Sequence, residues 1–280
     1  MIVLARFAMK EALRRRVFHV VALLTAGFLT LYGLGVWQAF KITSDLGGGF
    51  NVDPDTVVGS TMLGLAMFGT LFLGVVLAVF LTLGTIRGDA ERGLLQPLLV
   101  RPVSRRDVLL ARLLAAGAVT ALYVLVVYLA AWLLTGVVGG WWPERWLTPP
   151  LGLMAAVVII TALSLAGSVF LGSSANGIFA FMAFGAGLVA GLLGQIGEAL
   201  GSGTLTDVAD IVAYALPFEA LYQTSLGQLT AGTAGFERYA IELGPLGGAR
   251  EGTAWLLVWP PLYLVAVTAL AVAAFKRADL

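Results

Sequence analysis

The residues best able to make strong, directed contacts crowd into one short stretch, ERGLLQPLLVRPVSRRD, at 91–107. Asp89, Glu91, Arg92, Arg101, Arg105 and Arg106 supply charge in and beside it, and Leu94, Leu95 and Leu98 supply apolar surface between the charges. Arginine beside leucine suits docking, because a guanidinium forks onto carboxylates while leucine buries against a partner. Bond-making chemistry has much less to work with. The chain has no cysteine, which excludes disulfides, thiolate metal sites and thiol nucleophiles. Its one histidine, His19, follows three arginines and reads as an interfacial side chain, and two-histidine metal motifs are impossible. Lys10, Lys41 and Lys276 are the lysines, and none completes the G-x-x-x-x-G-K-[ST] phosphate loop. Any ATP must therefore act from another subunit.

The elements that hold this charged island are apolar. The 280 residues are 59% hydrophobic and 12% charged, against about 25% charged in soluble domains. That composition predicts an all-α integral membrane protein, because the apolar runs are continuous rather than alternating. A hydrocarbon core of about 30 Å needs about 20 helical residues. Six runs qualify: 17–39, 57–86, 108–138, 151–172, 178–194 and 254–275. The first is of spanning length, so the N-terminus reads as an uncleaved first span rather than a signal peptide.

Charge sets the expected orientation. With six spans, the N-terminal segment, the island, the link SSAN (173–176) and the C-terminus share one side. That side holds 13 of the 17 Lys and Arg and 5 of the 16 Asp and Glu. The bias predicts both termini and the island in the cytoplasm. The net charge of +1 points to no acidic partner, nucleic acid included.

Glycines and mild polar groups mark the spans. Ser60, Gly64, Gly69 and Gly74 lie in the second, and Gly187 and Gly191 in the fifth. Small residues let helices approach closely in lipid. They serve packing within one subunit, or a subunit interface or transport path. Thr61, Thr70, Thr82, Ser164, Ser168 and Asn176 are too mild to define a substrate, and the scattered methionines trace no metal path. Trp141, Trp142 and Trp146 fit an interfacial aromatic belt. Segment 195–253 predicts two short amphipathic helices on or in the outer leaflet. Thr206 is expected to cap the first and Pro217 to open the second, with Phe218, Glu219 and Tyr222 following. Within the island, Gly93 and Pro97 break a continuous helix, and Ser104 is expected to cap the helix beginning near Arg105–Asp107.

Glu91-Arg92-Gly93, the leucine-rich 94–100 and Arg101-Pro102-Val103-Ser104-Arg105 together resemble the type-2 ABC permease family. The sequence looks most like the branch containing the permease of nitrous-oxide-reductase maturation systems. Gln96-Pro97 departs from the usual pattern and shortens the expected coupling helix. The resemblance implies one permease domain over 1–280. It also implies a cytoplasmic N-terminal helix (1–16), a coupling loop (87–107) that docks on a separate ATPase subunit, and an outer gate (195–253). It further implies two ATPase subunits per complex, a second permease copy or a homologue as the membrane partner, and ATP and magnesium on the ATPase with no cofactor on this chain. The expected home is a prokaryotic-type inner membrane, and the expected direction is export. The rival reading is a non-transporting membrane anchor that uses the island to recruit a cytoplasmic partner.

Overall fold

The computed structural model describes residues 16–46, 53–83, 85, 104–229 and 255–277. All regular structure among them is helical. In chain order the helices are α1 (Arg16–Leu46), α2 (Pro54–Thr82), α3 (Arg105–Gly139), α4 (Thr148–Phe170), α5 (Ser173–Leu200), α6 (Gly203–Ala215), α7 (Phe218–Leu229) and α8 (Trp255–Arg277). Six of them, all but α6 and α7, are long and apolar enough to cross a membrane. The number of spans matches the sequence reading.

Local chemistry explains where the helices begin and end. Asp53 caps α2, its carboxylate accepting from the Asp55 amide at 3.3 Å and the Thr56 hydroxyl at 2.6 Å. Pro54 then occupies the first turn, where its missing N–H costs nothing. Ser104 caps α3 as the sequence predicts, accepting from the Asp107 amide at 3.1 Å, and Asp107 lies in the positive first turn. Gly140 ends α3 at φ 74° and Gly201 ends α5 at φ 62°, a left-handed backbone that glycine adopts without strain.

Several boundaries differ from expectation: α1 runs on to Leu46 and α5 to Leu200, past the predicted 39 and 194, and α2 ends at Thr82, short of 86. The link SSAN is not a loop but the first turn of α5, and Asn176 is fully buried there. Its amide nitrogen donates to the Ser164 hydroxyl at 3.5 Å, so a residue type common in turns is tied into the bundle instead. Thr206 is not a cap. Ser202 occupies the cap position of α6, and the Thr206 hydroxyl donates back to the Gly203 carbonyl inside the helix at 2.8 Å. α4 starts at Thr148, before the predicted 151, because Pro149 and Pro150 fit its first turn.

α2 and α4 form the centre and are mostly buried, while α1 and α8 flank the bundle and are mostly exposed. Hydroxyl pairs bind the spans to one another. Thr82 and Ser164 share a hydrogen bond at 2.7 Å (α2–α4), Thr120 and Thr161 at 3.2 Å (α3–α4), and Tyr32 and Thr135 at 2.5 Å (α1–α3). Thr25 and Tyr123 join α1 to α3 nearer their start. In lipid, where apolar burial gives little preference between helices, such pairs and close packing hold the bundle together.

Candidate functional site

The bundle has two distinct ends. Where α1, α3 and α5 start and α2, α4 and α8 finish lie Arg16, His19, Arg105, Arg106, Lys276 and Arg277. We call this the basic end. Of the predicted coupling residues, only Arg105 and Arg106 lie among the described residues, and Asp89, Glu91, Arg92, Leu94, Leu95, Leu98 and Arg101 lie outside them. So do the N-terminal segment 1–15 and residues 230–254.

Arg105 is engaged within the chain. Its guanidinium donates to the Phe275 carbonyl at 3.0 Å and lies 5.7 Å from the centre of the Phe275 ring. A cation on a carbonyl of the last turn also meets the negative end of the α8 dipole. Leu109, Leu165, Val169, Ala271 and Phe275 cluster beneath it. The start of α3 is thereby fastened to the end of α8. Arg106, one residue on, points into an apolar groove between the same two helices.

At the opposite end two short helices, α6 and α7, follow α5, where the sequence reading expects two on or in the outer leaflet. α6 and α7 do not lie on the bundle. α6 packs back along α5, and α7 packs against α4, α5 and α2, so the pair forms a re-entrant hairpin. α6 has 13 residues, so at 1.5 Å per residue the tip reaches about 20 Å from the end of α5. The tip residues Phe218 and Glu219 accordingly meet Gly187 and Gly191, well inside α5.

The glycines are the sockets of this hairpin and its neighbours. A Cβ on Gly187 would overlap the Phe218 ring, and one on Gly191 would overlap the Glu219 carboxylate. Phe218 also stacks on Phe184 at 5.5 Å. Leu226 of α7 sits 3.4 Å from a Cβ built on Gly64, and Ser225 and the Leu221 carbonyl close over Gly152. Gly69 receives Phe28 of α1, and Gly74 receives Val124 and Val157. Ser60 is buried with its hydroxyl on the Thr56 carbonyl of its own helix. Each of these small residues thus packs within the chain. Pro217 precedes α7, as its fixed φ favours, and its carbonyl accepts from the Leu221 amide at 3.2 Å.

The hairpin carries polar groups to mid-bundle depth. Glu219, Gln223 and Ser225 are buried, and Tyr222 is fully buried with its ring 6.3 Å from Phe68. The Tyr222 hydroxyl and the Gln223 side-chain oxygen find no hydrogen-bond partner among the described residues. Neither do the hydroxyls of Thr70 in α2 and Tyr128 in α3. Gly74 faces Val124 across antiparallel helices, which sets Thr70 and Tyr128, each four residues away, at a common level. Buried polar groups are normally satisfied, and those inside a membrane bundle usually mark a site. Thr70, Glu219 and Tyr222 were among the residues singled out from sequence. Tyr128 and Gln223 were not, because no motif distinguishes one buried tyrosine or glutamine from another.

Trp141 covers Gly59, and Trp142 and Trp146 pack on Trp132 at 4.8 and 5.1 Å while remaining partly exposed. These three tryptophans lie at the bundle edge between α3 and α4, consistent with a belt. Among the described residues no cluster of three His, Asp or Glu could hold a metal.

No curated protein matches the chain. The sequence model of the family described as ABC-2 family transporter protein matches residues 2–280, nearly the full length. Six apolar helices, an all-helical bundle and this match agree: the chain is a multi-pass membrane protein of the ABC-2 transporter family, a transmembrane permease component of an ABC transporter.

Proposed function

We propose that this chain is the permease half of an ATP-driven exporter, coupled through residues 89–106 to a separate ATPase subunit. The observation that carries the reading is the position of α2 and α3. The predicted coupling loop joins the end of α2 to the start of α3, and the far half of α2 holds the re-entrant hairpin through Gly64 and Leu226. A push on the loop therefore reaches the hairpin through one continuous, centrally packed helix. In this reading two ATPase subunits carry ATP and magnesium, two permease copies pair in the membrane, and the basic end faces the cytoplasm of a prokaryotic-type cell. The hairpin with Pro217, Phe218, Glu219 and Tyr222 is the outer gate, and Thr70, Tyr128, Tyr222 and Gln223 line the path. The finer assignment, to the branch containing the permease of nitrous-oxide-reductase maturation systems, rests on the overall look of the sequence, since the Glu-Arg-Gly and Arg-Pro-Val-Ser-Arg segments typify the wider family.

Co-purification with the ATPase encoded beside the gene tests the coupling. Glu91 and Arg101 are replaced together by alanine, and Arg105→Ala serves as a separate variant because its contacts lie within the chain. The double variant is expected to weaken the complex or uncouple ATP hydrolysis from transport. Unchanged assembly and unchanged transport-linked hydrolysis in that variant would refute the assignment of residues 89–106.

A further inference from the structure

We propose that the groove between α3 and α8 at the basic end is a binding site for one anionic phospholipid. Its walls are apolar and continuous. Leu110 and Leu113 on α3 follow Arg106 at helical spacing, and Val265, Thr268, Ala269, Val272 and Ala273 form one face of α8. Its cations are all at one end: Arg106, Lys276 and Arg277. None of the three has a hydrogen-bond or ion-pair partner among the described residues, whereas neighbouring Arg105 is committed to Phe275. Asp107, in the first turn of α3, is not part of the lining.

Shape and charge both select the occupant. From Leu264 to Lys276 the α8 wall rises about 18 Å at 1.5 Å per residue, slightly more than half of a hydrocarbon core of about 30 Å. The groove thus runs the depth of a single leaflet, with its charge where that leaflet meets water. Its volume of about 680 Å³ falls in the range of ligand sites, and it is open along one side, as a chain entering from the bilayer requires. A phosphodiester headgroup of net negative charge meets three cations and the positive start of α3, and an acyl chain fills the apolar length. An uncharged peptide, or a second copy presenting the same basic end, would leave three cations at one extremity without a counter-charge. The Arg105–Phe275 contact fixes the two helix ends that form the mouth, so the site is built before the lipid arrives.

The full chain is purified in mild detergent, stripped of lipid and examined by native mass spectrometry. The probes are phosphatidylglycerol and phosphatidylcholine with identical acyl chains. The wild type is expected to retain phosphatidylglycerol in clear preference. Lys276→Gln with Arg277→Gln is expected to lower that preference about 30-fold, at about 1 kcal/mol per cation near a membrane surface. Lys276→Gln alone, at an exposed position, is expected to lower it about 5-fold, which preserves the test if the double variant does not fold. Ala269→Trp, which fills the apolar wall, is expected to reduce retention of both lipids, and millimolar inorganic phosphate is expected to displace neither. Equal retention of the two lipids by the wild type, or an unchanged preference in the charge variants, overturns the proposal. Displacement by inorganic phosphate overturns it in favour of a free-anion site. Loss of dimers rather than of lipid in Ala269→Trp overturns it in favour of an interface between copies. None of these readouts involves the ATPase, so they are independent of the coupling assignment.

Discussion

Two glycines on one helix allow the seating of the hairpin to be measured. Gly185 and Gly187 both lie in α5, but a Cβ on Gly185 meets nothing within 4 Å, and one on Gly187 runs into the Phe218 ring. Each Gly→Ala change brings the same backbone gain, about 1 kcal/mol in a helix interior. Gly187→Ala adds an overpacking cost of about 1–3 kcal/mol, because Phe218 is 1% exposed and lies against Phe184 with nowhere to turn. The backbone term cancels in the comparison, so Gly187→Ala should be less stable than Gly185→Ala by about 1–3 kcal/mol. For a protein of this size that is a midpoint difference on the order of 2–12 °C, readable by thermal unfolding in detergent. Phe218→Leu in the Gly187→Ala background should recover part of the loss, giving a coupling energy of about 0.5–3 kcal/mol in the double-mutant cycle. Equal stabilities of the two alanine variants, with no coupling to Phe218, would refute the placement of the hairpin tip on α5.

Further substitutions probe other joints. Ser164→Ala removes the partner of both Thr82 and Asn176 and should lower stability by about 1–2 kcal/mol, more than Thr120→Ala, whose hydroxyl meets only Thr161 across helices; denaturant titration ranks the two. Ser104→Ala should cost about 1 kcal/mol through loss of the α3 cap, visible as faster amide exchange in the first turn from Arg105. Trp259→Phe removes the donor to the Tyr214 carbonyl, 2.8 Å away, and should raise exchange at the end of α6 while leaving α4 unchanged.

The spans were legible because hydropathy and length suffice when every backbone group must be satisfied within a helix. Ser104 and Asp107 were legible as a cap because their roles depend on neighbours three residues away. The hairpin's position was not. GTLTDVADIVAYA and FEALYQTSLGQL are short, mildly amphipathic helices, and sequence alone leaves open whether such helices lie on the leaflet or enter it. What draws α7 inward is a set of pairings distant in the chain: Phe218 with Gly187, Glu219 with Gly191, Ser225 with Gly152 and Leu226 with Gly64. Gly64, Gly187 and Gly191 stand out in the sequence and Gly152 does not, but each socket is meaningless until its knob is known. Asn176 misled for a related reason. It closes the link SSAN in the sequence reading, and only the Ser164 hydroxyl twelve residues earlier shows why it is buried.

Helix α8 is fastened near both ends, to Arg105 at the basic end and through Trp259 to the hairpin's α6 at the other. It therefore acts as a second strut, parallel to α2, between the start of α3 and the hairpin. The two struts meet different limbs, α2 the rising α7 and α8 the foot of α6. Equal displacement of both lifts the hairpin bodily, and unequal displacement tilts it. Pro260 and Pro261 deprive the carbonyls of Leu256 and Leu257 of their usual helical donors, which softens one strut just beyond its fastening. α2, whose one proline lies in its first turn, has no such joint, so the two struts differ in their backbone hydrogen bonding and not only in the limb they meet.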